Sequence, residues 1–272
     1  MNVSRRLGMM ILGVAFVLGI ALRDVSAEKH GHRGRPVELL VPAYFDATDP
    51  AWARLAAAAR HARRTVILNP NSGPGTQSDP HFLADVAAIQ EAGGRVIGYV
   101  HTSYGERPLA DVKAEIARYL SYYPVNGIFI DEMTNRDDAA DYLYYREIYA
   151  FIKQNDEDLE VVGNPGAPSV EGYFTHHTVD SLVLFEDTLA NYAAYSPPAW
   201  TAKYPARRFG NIVYGVPQAA LIGVLRRSEQ LHAGMVYVTD DTITNENFGN
   251  VYERLPVYWD QEVALVARMS VK

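Results

Sequence analysis

The chain contains no cysteine. Disulfides, thiolate metal sites and cysteine nucleophiles are excluded together. Histidine is scarce at eight in 272 residues. His176 and His177 are adjacent rather than spaced along one helix face, as zinc ligation requires, so no metal and no cofactor is expected. No strand-like run is followed by G-x-G-x-x-G, and the glycine-rich NSGPG at 71–75 lacks the Lys-Ser/Thr of a phosphate loop. Dinucleotide and nucleotide-triphosphate folds therefore have no support. Positive charge is short as well: 25 Lys and Arg stand against 32 Asp and Glu, a net of −7, which argues against nucleic acid or anionic lipid as partner.

Only one long apolar run occurs, at 7–22, behind Arg5 and Arg6 and ahead of Val25-Ser26-Ala27. It falls short of the ~20 residues a bilayer span needs. It reads as a secretory signal peptide over 1–27, cleaved after Ala27; an uncleaved anchor is the alternative. Ser4-Arg5-Arg6 hints at a twin-arginine signal. Cleavage removes Arg5, Arg6 and Arg23 but only Asp24, taking the net charge from −7 to −9. Export without disulfides favours a bacterial protein, periplasmic or secreted, with no membrane association once the signal is removed. Residues 28–36 read as a polar linker.

What is abundant is apolar character, 48% of the chain against 21% charged. That suffices for one sizeable core, and the length suits a single α/β barrel of ~250 residues. From residue 37 onward, short β-branched or aromatic runs alternate with stretches of helical period. Eight strands are expected at 38–44, 65–69, 95–101, 127–131, 160–164, 181–186, 211–216 and 234–239. Helices are expected at 51–63, 80–92, 108–122, 139–154, 219–232 and within 258–269, with broken turns around Pro197, Pro198 and Pro205. Strands apolar on both faces, separated by helices, specify a covered parallel sheet. Eight units in this length specify a (β/α)8 TIM barrel, one domain over 37–272, expected as a monomer.

The active site of such a barrel lies at the carboxyl ends of its strands. There the sequence places Tyr44, Asn69, Tyr99, His101, Tyr104, Asp131, Glu132, Asn164, Glu186, Tyr214, Tyr237 and Asp240. Carboxylates suit glycosidic cleavage, which needs an acid and a base or nucleophile. Tyrosine, 18 in the chain, offers a flat face and a hydroxyl to a sugar. Asp131, Glu132 and Glu186 are the candidate catalytic residues, and the others are candidate substrate contacts. Each has a plainer reading. Asp131 also suits a helix cap, and Glu132 alternates to the opposite strand face. Asn164-Pro165-Gly166 is ordinary turn chemistry, Asp240 and Asp241 suit a loop, and His101 suits a core. Glu186 ends the apolar run SLVLF, where a carboxylate is costly unless partnered. Retaining and inverting spacings both remain open.

The ordered set GIFIDE at 127–132, GNPG at 163–166 and Phe185-Glu186, with ELLVPAYF at 38–45, Trp52 and ILNPNSGPG at 67–75, resembles the spherulin-4-like family, family 135 of the glycoside hydrolases. The resemblance spans nearly the whole mature chain. It implies a (β/α)8 barrel that cleaves α-1,4-linked galactosamine polymers, wholly or partly N-acetylated, as in galactosaminogalactan-type biofilm exopolysaccharide. The family's acidic pair falls on Asp131 and Glu132, its asparagine on Asn164 and its glutamate on Glu186. Two other readings stand beside it: a non-catalytic sugar-binding barrel, and a substrate-assisted hydrolase of another amino-sugar polymer such as the Pel type.

Overall fold

The computed structural model describes residues 37–244 and 249–270, which lie within one compact unit. The signal peptide and linker expected over 1–36 lie outside the described residues. Eight parallel strands close into a barrel in chain order. They are β1 (Glu38–Ala43), β2 (Arg64–Leu68), β3 (Arg95–His101), β4 (Gly127–Asp131), β5 (Glu160–Gly163), β6 (Ser181–Thr188), β7 (Phe209–Tyr214) and β8 (Met235–Val238). The helices are α1 (Ala51–Ala59), α2 (Pro80–Glu91), α3 (Leu109–Tyr122), α4 (Ala139–Asn155), two single turns α5 (Gly172–Thr175) and α6 (Leu189–Tyr192), α7 (Leu221–Gln230) and α8 (Trp259–Ser270). The expected (β/α)8 barrel is the fold observed.

Local chemistry explains most boundaries. Asp79 caps α2 through the His81 N–H, and Gly93, at φ +89°, ends that helix in the left-handed region. Asp138 caps α4 in the same way. The first helix stops at Ala59, four residues before the expected end. The buried Arg64 guanidinium turns back to donate to the carbonyls of Leu55 and Ala62, so the chain there serves as an anchored entry to β2.

Two irregularities position the site. The first is a bulge in β6, where Val183 pairs with Gly210 but Phe185, not Leu184, pairs with Asn211. Val183 faces the barrel interior: a Cβ on Gly210 would meet Val183, Met235 and Leu40. Strict alternation from Val183 would turn Phe185 inward and Glu186 outward. The extra residue reverses that parity. Phe185 packs outward on Tyr192 and Tyr195, and Glu186 faces in.

The second irregularity is the closing seam. β1 and β8 share only two register pairs, Glu38 with Met235 and Leu39 with Val236. Above them the strands part and other groups take the ladder's hydrogen bonds. The Tyr44 N–H donates to the Tyr252 carbonyl at 3.2 Å, and the Val238 N–H to the fully buried Glu262 carboxyl at 2.9 Å. Tyr252, within the described residues 249–258, is thereby held against the end of β1.

Candidate active site

Asp131 ends β4, Asn164 follows β5 and Glu186 lies in β6, so three neighbouring strands deliver them to one rim. Asn164 is the hub. Its Nδ2 donates to Asp131 Oδ1 at 2.7 Å and to Glu186 Oε2 at 2.6 Å. Its Oδ1 accepts the Gly166 N–H at 2.9 Å, which fixes the amide's orientation so that the NH2 end must face the carboxyls. Its backbone is pinned by Ile130 and Met133, and the residue is 4% exposed. The two carboxyl oxygens can be no farther apart than these two bonds laid end to end, 5.3 Å. A bound of that size puts the two acids close enough for a retaining pair, whose carboxyl groups stand ~5–5.5 Å apart.

Tyrosines complete the cluster. Tyr99 donates its hydroxyl to Asp131. Tyr252 donates to Glu186 Oε1 at 2.5 Å. Tyr44 sits edge-on to both rings, at 5.5 Å and 5.4 Å between centroids. Both carboxyls accept from neutral donors, and each feels a neighbouring carboxylate, Asp131 acting on Glu186 and Glu132 on Asp131. Burial, and then the Asp131 charge, push Glu186 up to about 7, against the bonds from Tyr252 and Asn164. Burial also raises Asp131, opposed by bonds from Tyr99, the Glu132 N–H and Asn164. One proton shared between two close acids is the natural ground state.

A second group lies beside this one. Glu132 is in the left-handed region at φ +49°, as are Ser103 at +48° and Tyr104 at +57°. Such backbone is strained for non-glycine residues and held by its surroundings. Here the Glu132 carbonyl accepts from the Thr102 hydroxyl and the Tyr104 N–H. The Glu132 carboxylate, 41% exposed, turns to His101 Nδ1 at 3.4 Å. Tyr104 is 59% exposed. Glu132 is thus not part of the pair held by Asn164, although its charge raises Asp131.

The other expected contacts are placed differently. Asn69 folds onto its own loop, accepting the Gly73 N–H. Tyr214 donates to Asp187, one residue past Glu186. Burial opposes ionisation of Asp187, but bonds from Thr188, Asn191 and Tyr214 hold it below the usual carboxylate range. Tyr237 is corrected from contact to core: it is fully buried, with the Tyr252 ring 6.3 Å away. Asp240 is corrected to a loop anchor, since its carboxylate is committed to Arg254 and to the Val257 N–H. Tyr252 was not among the expected residues. It lies at no strand end, and only the parted seam brings it to Glu186.

Fold and rim together define a (β/α)8 barrel with a paired-carboxyl site. The model of the spherulation-specific family 4 matches residues 38–266, and the chain belongs to that family. It is 33% identical over 246 residues to Spherulin-4 of Physarum polycephalum, covering 86% of this chain and 71% of that protein. Among solved structures it is similar to Aspergillus clavatus Sph3 in complex with GalNAc, with a TM-score of 0.75, 25% identity, and coverage of 86% of this chain and 99% of that one. It also shares its fold with a cyclic α-maltosyl-(1→6)-maltose hydrolase from Arthrobacter globiformis, with a TM-score of 0.51, 13% identity, and coverage of 88% and 82%.

Proposed function

We propose that the protein is an exported, endo-acting glycoside hydrolase of α-1,4-linked galactosamine and N-acetylgalactosamine exopolysaccharide, the kind of polymer found in biofilm matrices, and that it works by retention. The observation that carries this reading is the placement of Asp131 and Glu186 on one amide, their oxygens within 5.3 Å. The GalNAc bound by the Sph3 relative supports the sugar class.

Glu186, pushed up to about 7 by burial and by the Asp131 charge, is the general acid. It gives its proton to the glycosidic oxygen as the C1–O bond breaks and that bond's electron pair moves to oxygen. Asp131, as carboxylate, bonds C1 from the other side. Glu186 then takes a proton from the water that displaces Asp131. Asn164 donates to both groups throughout and is a positioning residue. His101, Glu132 and the exposed face of Tyr104 supply contacts to the sugars flanking the cleaved bond. Export rests on the N-terminal sequence alone.

The test is incubation of the purified protein with a panel of amino-sugar polymers and neutral glucans, read by mass spectrometry, beside Asp131→Ala and Glu186→Ala. Wild type releases oligomers from galactosaminan or its acetylated form, and both variants lose this. Cleavage of neutral glucans alone, or full activity in either variant, refutes the reading.

A further inference from the structure

The two oxygens of Glu186 are held by different kinds of partner. Oε2 faces the Asn164 amide, which can only donate, since its Oδ1 is committed to Gly166. Oε1 faces the hydroxyl of Tyr252 at 2.5 Å, contributed by a segment 66 residues away. That segment is fixed independently of Glu186. The Tyr252 carbonyl takes the N–H of Tyr44, its own N–H donates to Asn250 Oδ1, and its ring is wedged between those of Tyr44 and Tyr237. The hydroxyl is therefore aimed by the seam between β1 and β8.

We propose that Tyr252 is a positioning residue for the hydrolytic reaction, orienting the Glu186 carboxyl and stabilising the carboxylate that forms as its proton leaves. This rests on the reading of Glu186 as general acid. The physical basis is that a hydroxyl bond to an ionised oxygen is roughly twice as strong as one to a neutral oxygen. The contact therefore strengthens as charge develops, which is how a fixed donor lowers a barrier.

Proton affinity follows the same logic. The ionisable groups acting on or facing Glu186 are Asp131 from β4, Tyr44 at the end of β1, Tyr99 from β3, Tyr214 from β7 and Tyr252 itself. Phenols stay neutral over the working range, so Asp131 is the one charge among them. The Tyr252 bond opposes that charge.

The experiment compares wild type, Tyr252→Phe and Glu186→Gln. Carboxyl 13C NMR follows the Glu186 titration, assigned by its absence from Glu186→Gln, and kinetics are measured on N-acetylgalactosamine oligomers. In Tyr252→Phe the Glu186 midpoint should rise by roughly one pH unit. The kcat should fall about ten- to a hundredfold, the range for losing a bond to a charged group, with KM little changed. A second variant with 3-fluorotyrosine at 252 keeps the ring and makes the hydroxyl a stronger donor, so the midpoint should move down. A merely structural residue would lower the unfolding temperature and leave the midpoint in place. An unmoved midpoint in both variants overturns the proposal. If Glu186→Gln retains activity, the general-acid reading fails instead, and the NMR arm still reports on the Tyr252 bond.

Discussion

The two ends of the barrel both hold carboxylates, and they supply them with different partners. At the amino end, Glu160 pairs with Arg95 at 2.5 Å and Asp180 with Lys153 at 2.8 Å. Glu38, beside Arg95 and Arg63, takes the Thr65 hydroxyl. At the carboxyl end, Asp131 and Glu186 have the Asn164 amide, tyrosine hydroxyls, the Glu132 N–H and each other, and the Glu132 charge also raises Asp131. At the amino end Glu160 and Asp180 sit in ion pairs, while burial raises Glu38 against the Thr65 bond and the nearby arginines. At Glu186, burial and the Asp131 charge hold the proton more tightly, up to about 7, which keeps an acid protonated near neutrality as acid catalysis requires. The seam repeats the contrast: its lower pairs are ordinary ladder, while its upper part is given over to Tyr252.

The strongest way to break this comparison is at the carboxyl pair. Glu186→Gln and Asp131→Asn each keep shape and remove the proton chemistry, and each should cost ~10²–10⁴-fold in kcat on the polymer. Arg95→Met at the other end should leave kcat unchanged and cost no more than about 1 kcal/mol in denaturant unfolding, as expected of a half-exposed pair. If Arg95→Met abolished activity, the two ends would not be separable.

Next in size is Asn164→Ala. It removes the shared donor and leaves two acids facing each other, so kcat should fall roughly tenfold or more while unfolding costs about 1–3 kcal/mol. Fluorescence-detected unfolding beside initial rates separates the two effects.

The pH dependence sharpens the comparison further. Activity should fall on the alkaline side as Glu186 loses its proton near 7, and on the acid side as Asp131 gains one, the two limbs belonging to the pair jointly. Stability has a definite sign. Glu186 binds its proton more tightly folded than unfolded, so its stabilising contribution is complete below about 4.5 and is lost as pH rises through about 7. Glu186→Gln, which cannot ionise, should therefore gain stability relative to wild type between pH 5 and 8, by an amount on the order of 2 kcal/mol. Equal differences at both pH values would contradict this. The smallest effect is expected for Asp240→Asn, whose partner is the half-exposed Arg254: about 1 kcal/mol or less in unfolding, with kcat retained.

Much of this was legible in the sequence because it depends on local pattern. Strand positions followed from apolar runs. Asp131, Asn164 and Glu186 stood where a barrel puts its chemistry. What was hidden depends on parity and distance. In SLVLFE every position before the glutamate is apolar or small, so alternation gives no sign of the bulge that turns Glu186 inward. Tyr252 reaches the site through a parted seam, and no spacing in the chain records which ladder bonds are missing. Tyr237 and Asp240 misled for a related reason. Proximity to a strand end does not say that Tyr237 would be buried beside Tyr252, nor that Arg254 would claim the aspartate.

The most direct test of the central claim is the anomer first released from an α-1,4-linked N-acetylgalactosamine oligomer, followed by proton NMR before mutarotation. Two carboxyl oxygens within 5.3 Å predict the α-anomer, by two displacements through Asp131. Initial release of the β-anomer would mean a single displacement by water and would contradict the account.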